Sequence, residues 1–247
     1  MNLMRNVWII ARREYNAYFN SPIAYAMAAA LLFSIGVLFA GDVYYSGIYP
    51  DFVPSVDRIT QIAVAMLIFI MPALTMRLIS DEARQGTLEL LLTAPVNDGA
   101  VVVGKWLGGV LFTLTVLATT LIYPIMLNGM VQPPLDRGLL ITGYLALVLF
   151  TMVFTALGVA ISALFDNLVA TFIATIGSFV ALWYFIGIPG SLAGGAVAEV
   201  SRYMAFNRYF ETMLRGAIEL TGLVYYLSAT AFFLILATLV LQSRRWR

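Results

Sequence analysis

Six uninterrupted runs without a charged residue divide this chain, and no other feature constrains its fold as strongly. They cover residues 15–41, 59–76, 106–135, 138–165, 167–198 and 220–243, so all 14 Lys and Arg and all 13 Asp and Glu residues fall outside them. A helix needs about 20 apolar residues to cross about 30 Å of hydrocarbon, so each run supplies one crossing. The polar–apolar alternation of a barrel strand is missing. The sequence therefore predicts an all-α, polytopic membrane protein with six transmembrane helices in one domain, residues 1–247. The spans are expected at about 22–41, 59–77, 104–127, 138–165, 167–188 and 222–243. A hydrophobic content of 62% with only 11% charged residues lies outside the range of soluble domains and agrees. The chain has no His and no Cys, which excludes His or Cys haem ligation, iron–sulfur clusters, thiolate zinc, disulfides and His-based acid–base catalysis. A net charge of +1 offers no basic surface for nucleic acid.

Charge also suggests the orientation. Arg5, Arg12 and Arg13 precede the first run, and Arg244, Arg245, Trp246 and Arg247 end the chain, so both termini are expected on the cytoplasmic side of the inner (plasma) membrane. Six crossings require that parity. The first apolar run is too long for a signal peptide and has no cleavage site before Asp42. Ahead of it, Trp8, Ala11, Tyr15, Tyr18 and Phe19 recur at helical steps, opposite Arg5, Arg12, Arg13 and Asn16. This predicts an interfacial helix over about 5–20. Asn20 or Ser21 can cap the first span, and Pro22 suits its first position.

Two loops carry most of the remaining charge. The inner one, Arg77 to Lys105, passes through Gly86 and then reads Thr87-Leu88-Glu89-Leu90-Leu91-Leu92 before Pro95. Thr87 as a cap and Pro95 as a stop predict a short apolar helix over about 86–94. Leucines at that density in a polar loop require a partner, unless Leu88, Leu91 and Leu92 pack back onto the protein's own helices. Gly99 to Lys105 matches the spacing of a phosphate-binding loop, but Trp106 replaces the magnesium-binding hydroxyl and no strand precedes it, so nucleotide binding is rejected. The outer loop, about 189–221, breaks the fifth span at Gly187-Ile188-Pro189-Gly190 and predicts short interfacial or re-entrant helices. Asp166 is the expected cap of span five. Small residues at Gly104 and Gly108, at Ala156 and Ala160, and at Ala170, Ala174 and Ser178 allow close helix approach, within one chain or between two. Pro72 and Pro124 are expected to kink spans two and three. Without ionisable groups in the spans, an ion-coupled carrier is disfavoured.

Arg12-Arg13-Glu14, the run from Asp81 through Glu82, Arg84, Gly86, Thr87, Leu88, Glu89 and Leu92 to Pro95, and the ending from Tyr225 to Trp246 together resemble permease subunits of the ABC-2 class. The likeness is nearest to the gliding-motility-associated and multi-copper-enzyme-maturation branch and covers nearly the whole chain. It implies a six-helix half-transporter with an elbow helix carrying Arg12, Arg13 and Glu14, which pairs with a second permease copy or a related permease. It also implies that residues 86–94 form a coupling helix seated in a groove of a separate ABC ATPase subunit, two copies of which hold ATP and Mg. In that setting Glu82, Arg84 and Glu89 orient the docking, Gly86 permits the turn, Leu88, Leu91 and Leu92 fill the groove, and Pro95 ends the helix. An auxiliary subunit with an outer domain is compatible with this class. No cofactor or catalytic residue is expected on this chain. A membrane anchor that recruits a cytoplasmic partner, and an ATP-independent carrier, are the alternatives.

Overall fold

A computed structural model describes residues 3–49, 52, 54–87, 97–130, 135–192 and 194–244. The helix expected over 86–94 therefore lies outside the described residues from Leu88 onward, together with Glu89, Leu91, Leu92 and Pro95; Pro133, Pro134 and the basic tail from Arg245 lie outside them as well. Among the described residues, six helices are long and apolar enough to cross a membrane: Pro22–Ile48, Val56–Arg84, Asp98–Met130, Arg137–Leu164, Leu168–Gly190 and Leu220–Arg244, here spans one to six. An amphipathic helix, Leu3–Phe19, precedes them.

The fold is all-helical as expected, and the differences sit at helix ends with local causes. Span one continues to Ile48 instead of stopping near residue 41. Asp42 is accommodated inside it because its carboxylate is buried and meets Arg58 of span two at 3.3 Å. Ser21 occupies the N-cap and Pro22 the first helical position, although the Ser21 side chain makes no capping bond. Span three begins at Asp98 rather than 104, since Asn97 Oδ1 accepts from the Gly99 N–H at 2.8 Å and starts the helix early. The residues of the phosphate-loop match, Gly99 to Lys105, are thus helical. The capping role expected of Asp166 belongs instead to Asn167, which accepts from the N–H groups of Val169 and Ala170. Asp166 pairs with Arg244.

The two prolines behave differently. Span three breaks at Thr120 and Leu121, four residues before Pro124, because proline has no N–H to offer the Thr120 carbonyl. The Thr120 hydroxyl donates to Leu117 O at 2.6 Å and lies 2.9 Å from the Tyr144 hydroxyl of span four. Pro72 sits inside Val56–Thr75 without interrupting it.

Span four is the centre of the molecule, buried along most of its length, whereas spans one, five and six expose most of their apolar side chains. Phe150 and Phe154 stack on one another, and Trp183 of span five meets both edge-on. Thr171, Thr175 and Phe179 bury one stripe of span five at four-residue steps. A single π turn, Ala181–Phe185, extends that stripe to Trp183. Gly158 lets span two touch span four: a Cβ there would lie 2.3 Å from Thr75 Oγ1.

The segment between spans five and six folds back over this core. Helices Ile188–Leu192 and Gly195–Met204 are joined by Ser201, whose hydroxyl donates to Ile186 O and accepts from the Gly190 N–H. Helix Phe206–Leu214 buries Phe206, Tyr209, Phe210, Met213 and Leu214. Phe206 lies against Phe154, and Leu214 lies near Gly143, so this helix runs antiparallel to the first half of span four. The Glu211–Arg215 pair forms only at 3.9 Å and is exposed.

Candidate functional site

Lys105 is the only lysine in the sequence, and the structure buries it to 1% exposure at the entry of span three. Its ammonium lies 2.8 Å from Glu82 and 3.2 Å from Glu14. Arg13 closes the network, 2.7 Å from Glu14 and 3.3 Å from Glu82. Two cations and two carboxylates thus join three elements far apart in sequence: the amphipathic helix, the end of span two and the start of span three. A compact ammonium with three donors suits a position that must bridge carboxylates from two directions. The hydrogen bond to Glu14, and the field of both carboxylates, hold the Arg13 guanidinium more firmly protonated than usual.

Close backbone approach makes the network possible. A Cβ on Gly104 would stand 2.7 Å from Ile10, and one on Gly108 would stand 2.6 Å from Glu14 Cβ. The Gly104 and Gly108 pair therefore serves a contact within the chain, between span three and the amphipathic helix. Ala11 is fully buried there, Tyr15 and Tyr18 are partly buried, and Trp8 and Phe19 stay exposed. The buried face of the helix is thus rotated from the one its apolar residues alone suggest, because Glu14 turns inward to Lys105. Tyr18 donates to Leu74 O at 3.1 Å and stacks on Phe112 at 4.7 Å. Burial pushes its phenol well above the ordinary range, so it stays neutral.

Glu82 is carried by a short helix, Ser80–Arg84, fastened at both ends. At its start, the Ser162 hydroxyl of span four accepts from the N–H groups of Ile79 and Ser80 at 3.0 and 2.9 Å and donates to Met76 O at 3.0 Å. The Thr171 hydroxyl of span five lies 3.0 Å from that of Ser80. At its end, Gly86 takes φ +70°, the Gly86 N–H donates to Ala83 O, and the Thr87 N–H donates to Glu82 O, a Schellman closure. A side chain at Gly86 would be strained in that conformation. Gly86 therefore ends the helix Ser80–Arg84. Thr87 closes the same helix, its hydroxyl reaching back to Glu82 O. Arg84 is exposed and pairs with Asp81 at 3.1 Å. Arg12 is exposed as well. The carboxylate of Glu82 faces Lys105 and Arg13, so it is not a free surface charge.

A family model for ABC-2 family transporter proteins matches residues 10–244. The chain belongs to the ABC-2 family. No curated protein matches it. This ABC-2 protein is a multi-pass membrane component of a transport system, and its family normally works with an ATPase partner. In that light the network occupies an informative place: it ties together the two ends of the loop that connects spans two and three. The sequence brought forward Glu14, Glu82 and Arg13, offered Lys105 only in the rejected phosphate-loop match, and gave no sign of Ser162 and Thr171. Lys105 carried a usable signal as the sole lysine. Ser162 and Thr171 carried none, because small hydroxyl residues recur throughout these spans.

Proposed function

We propose that this chain is the transmembrane subunit of an ABC-2 transporter and that it converts the ATP cycle of a separate ATPase into movement of its spans. Residues 86–94 dock on the ATPase, with Leu88, Leu91 and Leu92 in a groove, Glu89 at its rim and Pro95 as the helix stop. ATP and Mg reside on that partner. Two permease chains and two ATPase chains complete the assembly in the inner membrane, with both termini cytoplasmic. The likeness to the gliding-motility-associated branch belongs to the same proposal.

One observation supports this reading above the others: the buried Lys105 network and the Ser162 joint make both ends of the 77–105 loop a single packed unit with the amphipathic helix. A push on the loop would be delivered to spans two and three and to the amphipathic helix together, since packed elements shift as bodies rather than deform continuously. Arg12 and Arg84, exposed beside the loop, can steer a partner, while Glu82 and Glu14 keep the unit rigid.

The test is the double variant Leu88→Asp with Leu92→Asp. It is expected to insert and unfold like the parent but to lose copurification with the ATPase and all stimulation of its activity. Unchanged copurification and stimulation would remove residues 86–94 from the coupling role.

A further inference from the structure

Two adjoining cavities share Tyr184 and Asn207. They lie away from the Lys105 network, since Asp57 stands in the first turn of span two and Glu82 at its far end. The larger, about 580 Å³, is bounded by the start of span two, by span five and by the helix Phe206–Leu214, and its charged residues are Asp57, Glu211 and Arg215. Arg215 is answered by Glu211 at 3.9 Å, while Asp57 forms no ion pair among the described residues. Trp183 and Phe210 meet edge-on at 5.3 Å and give the same cavity an apolar wall. The smaller cavity, about 330 Å³, has two cations, Arg202 and Arg208, and no carboxylate in its wall. Arg202 donates through Nε to Gly190 O at 3.2 Å, and Arg208 lies over the Tyr209 ring at 6.0 Å; neither has a carboxylate partner among the described residues. Phe206, just ahead of Asn207 and Arg208, lies against Phe154 past the middle of span four, so Arg208 stands beside the apolar, membrane-crossing part of the chain. A guanidinium so placed is costly unless water or an anion meets it.

We propose that the joined cavities bind a short peptide with free termini. Charge sets its two ends: the carboxylate accepts from Arg208 and Arg202 in the smaller cavity, and the ammonium donates to Asp57 in the larger. Asn207 and Gln61 set its middle, because their amides offer both a donor and an acceptor, as a peptide group requires. An apolar side chain of the peptide packs against Trp183 and Phe210. Together the cavities lie within the range of about 300–1,000 Å³ usual for small-ligand sites, which limits the peptide to a few residues. A zwitterionic lipid headgroup fits less well, since its phosphate and ammonium are close neighbours whereas the cationic and acidic walls belong to different cavities. The proposal goes beyond the ATP-coupled reading and does not depend on it, because binding needs no ATPase.

Calorimetric titration of the full chain in nanodiscs tests it with trileucine, N-acetyl-trileucine and trileucine amide, which share an apolar body and differ only at the termini. Saturable binding of trileucine is expected, with each blocked form about tenfold weaker, as the loss of one charge-assisted hydrogen bond implies. Asp57→Asn should erase the discrimination against the N-acetyl form and keep that against the amide. The double variant Arg202→Gln with Arg208→Gln should do the reverse. The discrimination that each variant retains shows that its site is folded, and thermal unfolding checks the rest of the chain. Absence of saturable binding, equal affinity for the free and blocked peptides, or discrimination unchanged in either variant would each overturn the proposal. Displacement of trileucine by an equal concentration of soluble glycerophosphoethanolamine would assign the cavities to a lipid headgroup and overturn it as well.

Discussion

Lys105 shows how one side chain can carry more structure than its place in the sequence suggests. Its ammonium is desolvated and neutralised by Glu14 and Glu82, and removing one partner of such a group leaves the others buried without compensation. Lys105→Met should therefore lower stability by about 3 kcal/mol, read as a fall in the unfolding midpoint in detergent. The triple variant with Glu14→Gln and Glu82→Gln should recover part of that loss, because no carboxylate is then stranded. An unchanged midpoint in Lys105→Met would mean that the network contributes nothing to the fold. The small residues show the same economy of position. Gly108→Ala would drive a methyl to 2.6 Å from Glu14 Cβ and 2.9 Å from Ala11 O. Since one neighbour is backbone, the amphipathic helix must move. A cost of about 1–3 kcal/mol is expected in the same measurement, as for other overpacked contacts.

Among elements, the short helix Ser80–Arg84 is too brief to stand on its own hydrogen bonds, and its neighbours hold it in place. The Ser162 hydroxyl satisfies two N–H groups and one carbonyl at the bend where span two ends. Ser162→Ala should leave them unpaired in a buried setting, weakening the joint by about 2 kcal/mol. Hydrogen exchange is the direct reading: amides of Ile79 and Ser80 should exchange about 30-fold faster while those of span four stay protected. Identical exchange at the two amides would show that the joint is held elsewhere. How far such elements were legible in the sequence depended on their contacts. The six spans and the amphipathic helix announce themselves through the lengths of their charge-free runs and a helical period. The bend at Ile79 and the rotated face of the amphipathic helix do not, because both are set by partners on other helices.

For the molecule as a whole, the pairing of Asp166 with Arg244 puts the loop between spans four and five at the same end as the end of span six. Gly99, near Thr238, belongs to that end too, while Gly216, near Leu139, belongs to the other. The absence of cysteine makes this directly measurable. In intact cells, single cysteines at Asn97 and Ser243 should resist a membrane-impermeant thiol reagent, and single cysteines at Asn128 and Gly216 should react with it. Reaction of a cysteine at Ser243 together with one at Gly216 would contradict the six-span arrangement. Both glycine-lined contacts, Gly104–Gly108 with the amphipathic helix and Gly158 with Thr75, lie within one chain. The exposed apolar faces of spans one, five and six are left for lipid or for further subunits.

The sequence by itself determined the class of the molecule: the number of crossings, the amphipathic entry, the charged loop between spans two and three and the short helices before the last span. These follow from transfer of apolar side chains into hydrocarbon, a local property that a run of residues carries wherever it sits. Tertiary structure alone decided which charges meet. Glu14, Glu82 and Lys105 are separated by tens of residues, and nothing in their spacing says that they converge. Whether a carboxylate faces water, a lysine or a partner depends on which helices pack side by side, and that choice is made jointly by side chains spread over the whole chain. The loop between Arg77 and Lys105 was conspicuous in the sequence for its leucines. The structure adds that its two ends are locked to each other and to the amphipathic helix by buried charge.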